Sequence, residues 1–143
     1  MSAQQPSDYQ KSLPEITTLT KPFWEAAKRH ELVIQRCSKC EAHQWYPRAI
    51  CTLCGSRDLK WSNASGKGSI YSFVVIRQVI DNSPAFQSDI PFVLAEVELE
   101  ESPRLYASMV GCKPEDVRIG MKVEVVFEDA TDAVAIPKFK LVP

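Results

Sequence analysis

Cys37-Ser38-Lys39-Cys40 is followed, after ten intervening residues, by Cys51-Thr52-Leu53-Cys54-Gly55. Two residues between cysteines let a tight turn aim both sulfurs at one point. Two such turns bring four thiolates to roughly 2.3 Å from a single ion. Gly55 stands where the second turn tends to need a positive φ, while Glu41 holds that place after the first, which makes the first knuckle the less ideal of the two. Four thiolates complete a tetrahedral shell and leave no position for a substrate. The spacing therefore predicts a structural Zn²⁺ on Cys37, Cys40, Cys51 and Cys54. Iron could use the same ligands, but no second cluster motif accompanies them, which favours zinc. Five cysteines is an odd count, suiting four ligands and one bystander. The bystander, Cys112, has nothing near it in sequence to lower its pKa and reads as a small buried apolar residue.

Upstream of the cysteines, Thr20 is a plausible N-cap for a helix of about ten residues, with Pro22 in its first turn and Phe23, Trp24, Ala26 and Ala27 as apolar surface. So short a helix must dock on something, and Phe23 and Trp24 are its expected anchors, either on the body of the chain or on a partner. The knuckles sit among short strands: one from Leu32, one at Gln44 to Tyr46 and one at Leu59 to Ser62. Ala64 to Gly68 is a small-residue joint. Beyond it, strands are expected at Ser69 to Gln78, Phe92 to Glu100, Arg104 to Val110, Lys122 to Phe127 and Val134 to Leu141. The longest break is Asp81 to Pro91, and Lys113 to Val117 has room for one helical turn. Five strands with one longer connection suit a small closed Greek-key barrel of the OB type, although strand count leaves an SH3-like barrel open. The expected organisation is a disordered tail over residues 1–20, helix and zinc ribbon over 21–65, and the barrel over 66–143, a mainly β chain.

With 45% apolar and 24% charged residues, the composition is that of a water-soluble globular protein rather than a fibrous or disordered one. No apolar run approaches the ~18 residues of a membrane span. The polar stretch Met1 to Pro14 lacks the core of a secretory signal, so a reducing cytoplasmic setting is expected, where cysteines serve metals more than disulfides. The net charge of −1 hides an asymmetry. Lys28 to Lys67 holds eight basic and three acidic residues, and Gly68 to Pro143 seven basic and twelve acidic. The ribbon half can attract phosphate, whereas the β half would repel a nucleic-acid backbone.

No residues offer themselves as a catalytic set. His30 and His43 lie in no recognisable motif and read as surface or partly packed imidazoles, since four thiolates already complete the metal shell. Gly66-Lys67-Gly68 lacks the spacing of a phosphate loop. Glu96, Glu98, Glu100 and Glu101 follow a strand and its exit and read as a solvated face.

Several longer stretches carry a family likeness. They are Pro22-Phe23-Trp24-Glu25, Leu32 to Cys37, Tyr46-Pro47-Arg48 before the second knuckle, Ser65 to Phe73, Gly120 to Phe127, and Pro137-Lys138-Phe139. Together, from about Lys21 to the C-terminus, the chain resembles the acyl-CoA-associated family that joins a rubredoxin-like zinc ribbon to an OB fold, long catalogued as a domain of unknown function. That resemblance implies a non-catalytic small subunit of a thiolase-superfamily enzyme. A thiolase-like large subunit would carry the nucleophile, and the small one would shape the active-site entrance and help to hold CoA or acyl-CoA. Thiolytic cleavage of a bulky β-ketoacyl-CoA such as benzoylsuccinyl-CoA is the implied reaction. The alternative is retro-aldol cleavage of steroid side-chain CoA thioesters. Within that setting Arg36, Lys39 and Arg48 on the basic ribbon are candidates for contact with CoA phosphates. The competing expectation is that they pair with Glu31 and Glu41 or lie in solvent. A single-stranded nucleic-acid binder is the reading from another class. Tyr71, Phe73, Phe92 and Tyr106 could stack bases, but the acidic β half lacks the basic stripe such a partner requires.

Overall fold

The computed structural model describes residues 9–79 and 84–143. Helix α1 (Lys21–Lys28) precedes a three-stranded antiparallel sheet of β1 (Val33–Cys37), β2 (His43–Gln44) and β3 (Leu59–Asn63), in the order β2-β1-β3. The chain then enters β4 (Lys67–Ile76), passes a one-turn helix α2 (Pro84–Gln87), and continues as β5 (Phe92–Leu99), β6 (Arg104–Ser108), β7 (Lys122–Asp129) and β8 (Ala135–Leu141). These five strands run β6-β5-β4-β7-β8, and a parallel bridge between Met109 and Phe139 joins the two outer members. The result is a nearly closed five-stranded barrel of OB topology, mainly β as expected, with no sign of an SH3-like order. No helix among the described residues is long and apolar enough to cross a membrane.

Strict alternation makes β5 the clearest strand: Val93, Ala95, Val97 and Leu99 are buried, while Phe92, Leu94, Glu96 and Glu98 face outward. Ile70, Val123 and Phe139 meet them inside the barrel, and Ile34 of β1 and Phe23 of α1 belong to the same continuous core. At the joint, a Cβ on Gly68 would run into the Glu98 carbonyl, so the first turn of β4 needs glycine to approach β5. Glu101 helps to fix this joint, because its carboxylate accepts the Ser65 N–H at 2.9 Å. It is therefore not part of a purely solvated acidic face.

Several local expectations shift. The strand expected at Gln44 to Tyr46 is only His43–Gln44: Pro47 has no N–H to extend the ladder, and Trp45 turns to pack on Phe23. Thr20 precedes α1 but does not cap it with its hydroxyl, which instead lies 3.1 Å from that of Thr17 in a tight turn. The helical turn expected near Lys113 is a 3₁₀ turn at Pro114–Asp116. Of the expected N-terminal tail, residues 1–8 lie outside the described residues, as do 80–83 in the long break. Tyr9 and Lys11 lie against the barrel, where Lys11 pairs with Asp89 and rests over the Phe86 ring.

Candidate metal centre and aromatic groove

The two knuckles are built alike. The N–H of Glu41 donates to the Cys37 carbonyl and that of Gly55 to the Cys51 carbonyl, both at 2.9 Å. Each turn closes with a left-handed residue, Glu41 at φ 64° and Gly55 at φ 76°. The four sulfurs of Cys37, Cys40, Cys51 and Cys54 lie within 4.8 Å of one another. Cys37 Sγ is 3.6 Å from Cys54 Sγ, and Cys40 Sγ is 3.7 Å from Cys51 Sγ. Four ligands at roughly 2.3 Å from a tetrahedral ion stand about 3.8 Å apart, so this donor set fits zinc. The N–H of Cys40 points at the Cys37 sulfur and brings that thiol down to about 6, while the N–H of Cys54 lowers Cys51 in the same way. The backbone thus favours the thiolate at Cys37 and Cys51. At Cys40 the Ala42 N–H acts in the same sense, but burial and the neighbouring sulfurs outweigh it and push that thiol up to about 11.

What holds the knuckles in register is a buried pair of amides that the sequence reading missed. The Gln44 side chain donates to Gln35 Oε1 at 2.8 Å, and its own oxygen accepts the Thr52 N–H at 3.0 Å. Gln35 grips the backbone of Arg48 from both sides, donating to its carbonyl and accepting its N–H, each at 2.9 Å. Both glutamines are buried, and so is the bond between them, whereas the bonds to the Arg48 and Thr52 backbone are part-buried. The available signal was Gln35, a polar residue following Val33 and Ile34 on β1.

The three cations proposed for phosphate contact are all exposed on the ribbon. Arg36 pairs with Glu41 at 3.2 Å, the neutralised arrangement weighed against the CoA reading. Arg48 is exposed and lies 5.8 Å from the Tyr46 ring. Lys39 is exposed at the tip of the first knuckle. His30 bonds Asp129 at 2.9 Å and stacks on Phe127, linking the end of α1 to the barrel, while His43 is partly packed on β2. Cys112 is half-buried, and burial raises its thiol above the usual range, the opposite of an activated nucleophile. Arg104 lies 3.4 Å over the Tyr71 ring and is held there by Glu98 at 3.2 Å.

Where α1, the ribbon and the barrel meet, the surface opens into an apolar groove of about 320 Å³. Trp24, Trp45, Tyr46, Leu94, Tyr106 and Pro137 line it, and Tyr46 and Tyr106 are more than half exposed. The aromatics form a run, with Phe23 4.9 Å from Trp24 and 4.7 Å from Trp45, and Trp45 5.6 Å from Tyr46. Such a groove can seat an apolar side chain of another molecule. Phe23, one of the two anchors expected, is buried in the chain's own core, while Trp24 lines the groove.

Two family models match the chain: the ChsH2 rubredoxin-like zinc ribbon domain over residues 24–60 and the ChsH2 C-terminal OB-fold domain over residues 61–128. A DUF35 domain-containing scaffold protein of Methanocaldococcus jannaschii is 36% identical over 84% of this chain and 87% of its own length. A probable enoyl-CoA hydratase alpha subunit of Thermomonospora curvata is 40% identical over 82% of this chain, which spans only 36% of that longer protein. The 3-oxo-4,17-pregnadiene-20-carboxyl-CoA hydratase alpha subunit of Mycobacterium tuberculosis is 31% identical over 83% of this chain and 37% of its own length. Among solved structures, a chain of the Ltp2-ChsH2(DUF35) aldolase superposes with a TM-score of 0.80 at 36% identity, covering 90% of this chain and 98% of that one. With ribbon, barrel and sequence in agreement, the chain belongs to the DUF35 family of ChsH2-type zinc-ribbon and OB-fold proteins.

Proposed function

We propose that this chain is a zinc-stabilised, non-catalytic subunit of an enzyme complex that acts on CoA thioesters, and that the reaction is carbon–carbon cleavage of the retro-aldol kind. The observation that carries the reading is the likeness, along nearly its whole length, to the DUF35 chain of an aldolase. A relative named for a steroid side-chain CoA thioester supports the same substrate class. The sequence resemblance alone points first to thiolysis. The named relatives include an aldolase and two hydratase subunits, so retro-aldol cleavage takes its place as the leading reaction.

In this reading Zn²⁺ sits on Cys37, Cys40, Cys51 and Cys54 and supplies folding energy rather than chemistry. The nucleophile and acid–base groups belong to a large subunit of thiolase type. This chain offers that subunit a docking surface and shapes the entrance to its active site. Lys39 and Arg48 are the cations proposed to meet CoA phosphates, with Arg36 joining them if its exposed pair with Glu41 opens. The acidic barrel half argues against a nucleic-acid role.

The test is purification of the native complex, followed by assay with a β-hydroxyacyl-CoA and a β-ketoacyl-CoA of similar bulk. Cleavage of the first without added free CoA supports the retro-aldol reading. CoA-dependent cleavage of the second alone would return the assignment to thiolysis. A chain that purifies without a partner and retains salt-sensitive affinity for single-stranded DNA would overturn both.

A further inference from the structure

β4 is longer than the strand that pairs with it on one side. β5 follows it from Gly68 to Ile76, whereas β7 pairs only with Lys67, Gly68 and Ser69. The backbone bonds show which way each remaining residue faces. Met109 donates to the Val93 carbonyl and Leu99 to that of Pro103, so the odd-numbered residues of β5 point toward β6. The even-numbered ones, Phe92, Leu94 and Glu96, therefore bond across to Ile76, Val74 and Ser72. After the bulge between Ile70 and Ser72, the N–H and C=O groups of Phe73 and Val75 must point the other way. On that side, no backbone or side-chain partner exists for them among the described residues.

Free edges are commonly blunted by lysine, proline or an inward charge. Here the edge reads Tyr71-Ser72-Phe73-Val74-Val75-Ile76, without a charge or a proline. Its outward row, Val74 and Ile76, continues across β5 as Phe92 and Leu94, and Leu94 already lines the aromatic groove with Tyr106. The unpaired groups define their own complement: two donors and two acceptors spaced along a strand take an extended backbone. Six edge residues give a contact only about 20 Å long. Paired edge to edge across a two-fold, a second copy would fall well short of the ~800 Å² per partner that a stable interface needs. A larger chain can lie on the edge and cover the neighbouring apolar row as well.

We propose that the free edge of β4 at Phe73 and Val75 receives an extended segment of the partner subunit as an added strand. The inference rests on the subunit reading above and adds the mode of docking.

Residue-resolved amide exchange on the zinc-loaded chain, alone and in the natively purified complex, tests it. In the dilute isolated chain the amides of Ser72, Val74 and Ile76 exchange slowly and those of Phe73 and Val75 fast. In the complex the latter two become protected by about a hundredfold or more. Val74→Lys, at an outward and exposed position, keeps zinc content and melting temperature but weakens the complex about tenfold or more. Slow exchange of Phe73 and Val75 in the dilute chain overturns the inference, because the edge is then covered from within. So does protection that rises with the concentration of the isolated chain, the mark of a second copy. A complex that forms with both amides still fast sinks the added strand and leaves the subunit reading standing. Failure of any complex to form removes the subunit reading, and the strand with it.

Discussion

At the scale of single residues, the metal centre depends on turns as much as on thiols. Glu41 holds a left-handed backbone that costs a non-glycine residue about 1 kcal/mol or more. Its exposed ion pair with Arg36 returns less than about 1 kcal/mol. Glu41→Gly is therefore expected to raise the melting temperature by a few degrees without changing zinc content, as thermal unfolding of the zinc-loaded protein will show. Cys40→Ser or Cys54→Ser should instead lower bound zinc and give misfolded protein, because the ribbon has too few apolar residues to offset its chain entropy unaided. Full solubility, unchanged melting and no metal would refute this. Gln44→Ala leaves the Thr52 N–H without its acceptor, at about 1–3 kcal/mol if water does not replace it, while Gln35 Oε1 keeps the Arg48 N–H. Denaturant unfolding is the measurement, and a loss below ~0.5 kcal/mol would show that water replaces the amide.

At the scale of elements, what the sequence made legible is what depends on local spacing. The cysteine pairs and the alternation of β5 are read within a few residues, and both stand as expected. Gln35 and Gln44 were not legible, because their value lies in partners up to thirteen residues away that only the folded ribbon brings within reach. The aromatic groove was half legible: Trp24 could be named as an anchor, but not the Tyr106 and Pro137 that face it from the barrel. For Arg36, Lys39 and Arg48 the sequence left two expectations open, and the Arg36–Glu41 pair is the part of the competing one that the fold forms. Helix α1 illustrates how nonlocal packing decides a marginal element. Eight residues cannot hold a helix alone, so its stability is the burial of Phe23, Ala26 and Ala27 against β1 and β8. Phe23→Ala is expected to cost about 3–5 kcal/mol and to detach the helix, visible as a lowered unfolding midpoint. The His30–Asp129 bond at the end of the helix is exposed and weaker. It lowers the Asp129 pKa, so its contribution is complete above the ordinary aspartate value and is lost as pH falls through the depressed one. Asp129→Asn should therefore lower stability above about pH 4, and the difference from the unaltered chain should vanish as the pH falls below that value.

For the whole molecule, the distribution of features separates support from chemistry. Four cysteines suffice to fill the metal shell, Cys112 is raised rather than activated, and an apolar groove lies on the outside at the meeting of helix, ribbon and barrel. An outer groove with exposed tyrosines suits the burial of another protein's side chain more than the enclosure of a reacting substrate, which calls for a drier site. Activity should therefore belong to the assembly. The isolated chain is expected to show no cleavage of a CoA thioester, the separated large subunit to be weak or unstable, and the mixture to restore turnover. Tyr46→Glu with Tyr106→Glu, both at exposed positions, should leave the fold intact and abolish that restoration at matched concentrations, because two charges would have to be buried in an apolar contact. Arg48→Glu separates docking from ligand contact. If Arg48 holds CoA phosphate, the apparent KM for the CoA thioester rises more than kcat falls and the complex still forms. A loss of assembly with KM unchanged would place that guanidinium at the protein interface instead. Turnover by this chain alone, in a preparation free of large subunit, would show that the division of labour is wrong.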